Sequence, residues 1–154
     1  MERQEDERVI IYIDTNAFIP LVEGSAQRLP QLFALMHLVS QGRADAVTSE
    51  LTFGELLVGP YAKDADLADA YYNLLSSSPA LRLCVVDRET IVRAARLRAA
   101  QKSLKLPDAI HLATAELAGC KVFLSDDVDI RPRTPMLRVG LTGFDLDDLV
   151  SSLS

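Results

Sequence analysis

Five residues near the start, Val9-Ile10-Ile11-Tyr12-Ile13, are all β-branched or aromatic, with no polar residue at alternate positions. A strand with one wet face alternates apolar and polar residues, so an unbroken run fits a strand covered on both faces. The rest of the chain supplies the covering. A short helix begins near Asn16. Pro30 opens a longer one, in which Leu32, Phe33, Leu35, Met36 and Val39 form an apolar stripe that Gly42 ends. Ala44–Thr48 reads as a strand. Ser49 then caps a helix over Glu50–Val58, which Gly59-Pro60 is expected to terminate. Asp64–Leu75 is a helix closed by Ser76-Ser77-Ser78-Pro79, Leu81–Val86 a strand, and Arg88–Ser103 a basic, Ala-rich helix. Pro107 marks the first turn of another helix, Lys121–Leu124 and Met136–Val139 are strands, and Phe144–Leu153 is a terminal helix. Strands separated by helices predict an α/β fold, a parallel sheet sandwiched between helical layers. Ligands of such sheets bind outside the carboxyl ends of the strands.

With 154 residues the chain fits one domain, with its core over about residues 9–140 and residues 1–8 as a short N-terminal extension. Its 49% hydrophobic and 25% charged residues are ordinary for a globular protein and argue against disorder. The longest apolar stretches fall far short of the ~20 residues that span a bilayer. The first residues mix both charge signs and offer no small-residue cleavage site, so no signal peptide is expected. Cys84 and Cys120 lack ligand spacing and read as buried small hydrophobes in a reducing compartment, which makes a cytoplasmic location the expectation. A net charge of −6 argues against a broad basic face that coats nucleic acid. It leaves room for local binding of a phosphodiester where bound divalent ions reverse the field.

Four carboxylates stand where a packed domain would ordinarily have none. Asp14 directly follows the first strand, and Asp126, Asp127 and Asp129 follow the strand Val122-Phe123-Leu124 in the same way. Either alone reads as an Asp that starts a turn. Glu55 lies four residues after Leu51 and three before Val58, which predicts that it shares their apolar, inward stripe. Asp108, just after Pro107, suits the positive end of a helix. The rest of that helix is apolar around much of its circumference, so Asp108 is carried inward with it, and His111 lies on the same side. Unpaired anions at one spot repel, so convergence requires a cation. An all-oxygen donor set suits Mg²⁺ or Mn²⁺, whereas zinc calls for clustered His and Cys ligands that the sequence lacks.

In order and spacing, IYIDTNAFI with Asp14, TSELTFGELLVG with Glu55, LKLPDAIHLATA with Asp108 and VFLSDDVDI with Asp127 resemble the PIN-domain ribonucleases, and among them the VapC-type toxins of bacterial toxin–antitoxin pairs. The likeness runs from Val9 to about Val139. It implies a three-layer α/β/α fold around a mainly parallel sheet of about four to five strands, and one active site that hydrolyses RNA phosphodiesters with Mg²⁺ or Mn²⁺. In the fourth motif the family usually has Thr-Asn-Asp, and this chain has Ser125-Asp126-Asp127. The serine keeps the hydroxyl. The extra charge of Asp126 leaves Asp126, Asp127 and Asp129 as alternatives for the nearest ligand, with Asp127 favoured.

The resemblance implies that Asp14, Asp108 and Asp127 hold one or two divalent ions and that Glu55 holds a second ion directly or through water. Thr15, Asn16 and Ser125, with Asp126 and Asp129, would orient carboxylates or bind phosphate around them. His111 is read as a packed or hydrogen-bonded core residue rather than a catalyst. Arg131 and Arg133 after the acidic loop, and Arg98, Lys102 and Lys105 before it, are candidates to clamp RNA phosphates. A homodimer and a small antitoxin are the implied partners, the antitoxin's tail filling an apolar groove and the acidic site. Leu67, Ala70, Tyr71 and Leu74 recur at helical spacing and would line that groove or the core. A PIN nuclease of RNA processing, without an antitoxin, fits the same residues. A receiver-like Mg²⁺-binding signalling domain fits less well, because it needs an acidic pair after the first strand and finds Thr15-Asn16.

Overall fold

The computed structural model describes residues 7–154, so most of the expected N-terminal extension lies outside the described residues. Among the described residues five strands and seven helices alternate: β1 (Ile10–Ile13), α1 (Thr15–Glu23), α2 (Pro30–Ser40), β2 (Asp45–Ser49), α3 (Glu50–Lys63), α4 (Ala65–Ser77), β3 (Leu81–Cys84), α5 (Arg88–Ala100), α6 (Leu106–Leu117), β4 (Val122–Leu124), β5 (Leu137–Val139) and α7 (Phe144–Leu153). The strands form one sheet in the order β3-β2-β1-β4-β5, with every pair parallel.

The unbroken apolar run of β1 is explained by its central place. Ile11 and Ile13 pack with Ala46, Val122 and Leu124 into the layer built by α1, α2, α3, α4 and α7. Tyr12 points the other way, with Val47 and Phe123, into the layer of α5 and α6. Successive residues of each inner strand thus serve opposite layers, as the two-residue repeat of a strand requires. Leu146 and Val150 of α7 are buried in the first cluster, so the packed core reaches beyond residue 140.

The chain builds outward from β1 through β2 to β3, then crosses to the other side for β4 and β5. The reversal leaves a crevice between the carboxyl ends of β1 and β4, where the Asp14 amide donates to the Leu124 carbonyl at 3.1 Å. Ligands of open α/β sheets bind at such a switch point.

Several boundaries differ from expectation. Gly59-Pro60 does not end the third helix, which runs on to Lys63. Pro60 removes one intrahelical donor, but Leu56 and Leu57 before it are buried in the core and hold the helix in line. The stop comes at Asp64, whose amide closes α3 on the Pro60 carbonyl at 2.8 Å and whose carboxylate caps α4 at the Leu67 amide, 3.1 Å away. Strand β3 ends at Cys84 rather than Val86 because its partner β2 stops at Ser49, the last paired position. Helix α5 ends at Ala100 rather than Ser103. There Leu104 turns into the core and the Arg98 Nε donates to its carbonyl at 3.0 Å. Cys120 is buried and Cys84 half-buried, and both are free thiols.

Candidate active site

Asp14 ends β1 and caps α1, its Oδ1 accepting from the Thr15 amide at 2.8 Å. Its side chain faces the crevice and is held from the β4 side. The buried Ser125 hydroxyl donates to Asp14 Oδ2 at 2.6 Å, while the Asn16 amide nitrogen lies 3.4 Å from the same oxygen. Ser125 Oγ in turn accepts from Asn16 Nδ2 at 2.9 Å and from the Asp127 amide at 3.0 Å. One hydroxyl therefore uses its donor and both lone pairs to tie the end of β1 to the loop after β4. Asp14 is only 5% exposed, and this network is what lets a carboxylate sit there.

Within that loop the three aspartates part ways. The Asp126 carboxylate accepts from the Leu141 amide at 2.8 Å and so anchors the segment between β5 and α7. The Asp127 carboxylate accepts from the Asp129 amide at 3.0 Å, and Asp127 is the loop acid whose charge acts on Asp108. Asp129 is exposed, its carbonyl accepting from Gln101 at 3.3 Å.

Asp108, in the first turn of α6, links the cluster. Burial, then the charges of Asp127 and Asp14 and to a lesser degree Glu55, hold its carboxyl above the usual carboxylate range, with His111 opposing. Asp14, Asp127 and Glu55 thus all lie close enough for their charges to be felt at Asp108. Among the described residues, the ion pairs leave Asp14, Asp108 and Asp127 without a lysine or arginine.

Glu55 reaches the crevice differently from the expectation. Val58, assigned to the same inward stripe, is 74% exposed, and the buried face of α3 is Thr52, Leu56 and Leu57. Glu55 stands at the edge of that face, half-exposed, and is drawn in by polar partners. The Thr15 hydroxyl donates to its Oε1 at 2.8 Å, and His111 Nε2 bonds the same oxygen. The bond from His111, outweighing partial burial, lowers the Glu55 carboxyl below its usual range. His111 is 1% exposed, and its Nδ1 meets the Tyr12 hydroxyl at 2.6 Å. The sequence places His111 in the core, but Tyr12 looked like a strand residue and nothing marked its link to Glu55.

The candidate phosphate clamps scatter. Arg133 forms a two-pronged bond with Glu116, 2.8 Å for each prong, which Arg93 joins at 3.5 Å. Arg98 is engaged at Leu104. Arg131, Lys102 and Lys105 are exposed. Nothing in the sequence marks Arg138, which lies in a three-residue edge strand, yet its Nη1 donates to the Ser125 carbonyl at 2.9 Å behind the acidic loop.

The model of the PIN domain family matches residues 11–133, a span that takes in all four acids. The chain belongs to the PIN domain family. Solved structures with the same fold include a toxin–antitoxin complex from Klebsiella pneumoniae, at 23% identity and a TM-score of 0.63, over 87% of this chain and 99% of that one. VapBC2 from Rickettsia felis, bound to a DNA fragment from its promoter, gives 13% identity and 0.67 over 86% and 98%. DNA-bound VapBC from Salmonella typhimurium gives 15% identity and 0.66 over 87% and 99%. No curated protein matches the chain.

The acids of this PIN domain suit a hard cation by donor chemistry: all are oxygen donors, and the mutual repulsion felt at Asp108 is what a divalent charge relieves. Among the described residues no three His, Cys, Asp or Glu side chains stand close enough to grip one ion directly. Water ligands, which Mg²⁺ retains readily, would complete the shell. A cavity of about 530 Å³ opens beside Glu55, running from Thr15 and Glu55 past Ile19, Leu56 and Pro60 to Leu67 and Tyr71. Of the residues expected to line a groove, Leu67 and Tyr71 do, Leu74 packs against the core, and Ala70 is exposed.

Proposed function

We propose that this PIN domain is a metal-dependent endoribonuclease and the toxin of a VapBC-type toxin–antitoxin pair. The observation that carries the reading is that Ser125 ties Asp14 to the Asp127 backbone at the switch point of the sheet, with Asp108 within reach of the charges of Asp14, Asp127 and Glu55 and, among the described residues, no lysine or arginine paired with the three aspartates. Asp14, Asp108 and Asp127 would hold a Mg²⁺ or Mn²⁺ ion partly through bound water, with Glu55 as a further ligand directly or through water. When bound, such an ion acts as a Lewis acid that acidifies water and offsets charge on the phosphoryl oxygens.

The chain's own groups do the positioning. Ser125 and Asn16 fix the Asp14 carboxylate, and the Ser125 hydroxyl also fixes the backbone that presents Asp127. Thr15 and His111 hold one oxygen of Glu55, and the other would be the one available to a water or an ion. Exposed Arg131, Lys102 and Lys105 supply cationic contacts for flanking phosphates. Arg98 and Arg133, already committed elsewhere, are weaker candidates.

The antitoxin partner is supported by the neighbouring structures, which are toxin–antitoxin complexes, and by the groove beside Glu55, large enough for apolar side chains of a helix or tail. A homodimer and a cytoplasmic site of action complete the proposal, with the whole chain acting as one domain. The decisive assay compares wild type and Asp14→Asn on total RNA in Mg²⁺ or Mn²⁺ and in chelator. Wild type with metal is expected to cut, while the variant and the chelated enzyme lose at least ~100-fold of that rate. Equal cutting by both proteins, or cutting in chelator, overturns the reading.

A further inference from the structure

Glu55 is the one acid of the four that sits on an otherwise solvent-facing part of its helix, between exposed Gly54 and a buried leucine pair. Such a side chain ordinarily samples several rotamers in water. Here a chain of hydrogen bonds rises to it from the core. Tyr12 is wholly buried in the middle of the central strand, stacked on Phe123 with ring centroids 5.0 Å apart. Its hydroxyl reaches the Nδ1 of His111, 2.6 Å away, and the opposite ring nitrogen, Nε2, reaches Glu55 Oε1.

A carboxylate can only accept, so Nε2 must carry the proton that points at Glu55. In the neutral ring Nδ1 is then bare and accepts from the Tyr12 hydroxyl. A phenol keeps its proton at neutral pH, so the Tyr12 hydroxyl is the donor of this bond. The Thr15 hydroxyl converges on the same Oε1. Two donors on one oxygen leave Oε2, among the described residues, without a hydrogen-bond partner from the protein.

Resting on the metal-centre reading above, we propose that Tyr12 and His111 are positioning residues: the Tyr12 hydroxyl fixes the Nε2–H form of His111, which clamps Glu55 Oε1 and presents Oε2 as a single-oxygen ligand to the divalent ion or to its water. Hydrogen-bonded partners behind a metal ligand typically contribute ~10–100-fold to metal affinity or activity. The pair thus turns a mobile surface glutamate into a fixed ligand, and the energy for fixing it comes from a buried tyrosine rather than from packing of Glu55 itself.

The test uses the full chain, with Mn²⁺ as the probe, in calorimetric titrations and in two-dimensional ¹H–¹⁵N spectra of the histidine ring of the metal-free protein. The wild-type spectrum is expected to show the Nε2–H tautomer, and Tyr12→Phe, which keeps the stacked ring, a mixture of tautomers. Mn²⁺ affinity is expected to fall ~10-fold or more in His111→Leu, less in Tyr12→Phe, and to be largely restored in His111→Gln, whose amide can donate to Glu55. Adding His111→Leu to Glu55→Gln should cost little further, because the clamp would have lost its object. Thermal melts identify any variant that fails to fold, and Tyr12→Phe carries the test if His111→Leu does. An Nδ1–H tautomer in the wild type, unchanged Mn²⁺ affinity in folded Tyr12→Phe and His111→Leu, or full additivity with Glu55→Gln would overturn the proposal. A wild type that binds no Mn²⁺ ends the metal-centre reading and this one with it.

Discussion

Ser125 does more at this site than any single acid, since its hydroxyl bonds Asp14, Asn16 and the Asp127 amide at once. Ser125→Ala strips a donor from a nearly buried carboxylate, and a hydrogen bond to a charged group is worth about 1.5–3 kcal/mol. Urea denaturation of the metal-free protein at pH 7 should report a loss of that size. A loss below about 0.5 kcal/mol would mean that water replaces the hydroxyl. Asp108 behaves in the opposite sense. Its pKa is raised by folding, so it favours the fold below its unfolded pKa of about 3.9, and that contribution is lost as pH rises through the folded value. Metal-free Asp108→Asn should therefore melt above wild type at pH 7 while losing nuclease activity, the mark of a residue kept for function at a cost in stability. For Glu55 the pKa is lowered, so its contribution is present above the unfolded value of about 4.3 and disappears as pH falls through the folded one. Glu55→Ala should melt below wild type at pH 7, and the gap should close in acid. Charge and position mark Asp14 and Asp108 in the linear chain, whereas Asp126, Asp127 and Asp129 stand there as alternatives that only the fold separates. Tyr12 and Arg138 were not visible, because their roles depend on what lies across the sheet from them.

At the scale of elements, the segments with strong internal signals formed as expected. Pro30 begins α2, Ser49 caps α3 through the Leu51 amide at 3.0 Å, and Pro107 lies in the first turn of α6. The misplaced helix end at Gly59-Pro60 has a physical cause: local propensity opposes a helix there, but the burial of Leu56 and Leu57 on one side outweighs it. Glycine within α3 remains a cost. A Cβ at Gly54 would meet nothing within 4 Å, so Gly54→Ala should stabilise the protein by roughly 0.5–1 kcal/mol. A rise in denaturation midpoint with unchanged activity is the expected result. A rise with lost activity would instead mean that substrate passes over the bare helix surface beside Glu55.

For the whole molecule, the sheet order gathers acids from four separate stretches of chain at one crevice, and linkage turns that gathering into a measurable stability. Mn²⁺ at about 100 times its Kd should add about 2.7 kcal/mol, or roughly 5–10 °C in melting temperature for a chain of this size. Asp14→Asn and Asp127→Asn should abolish the shift. An equal shift in both variants would place the ion elsewhere. The sequence alone determined the parallel α/β class, the central place of Val9–Ile13, and the placing of Asp14 at a strand end and Asp108 at a helix start, because these follow from short-range patterns of burial, capping and charge that each segment carries within itself. The tertiary structure decided which loop aspartate faces Asp108, that Arg133 turns away to Glu116, and that Glu55 is fixed by a histidine and a tyrosine from the core. Those outcomes depend on which strands become neighbours and in what register, a choice made by the packing of the whole chain.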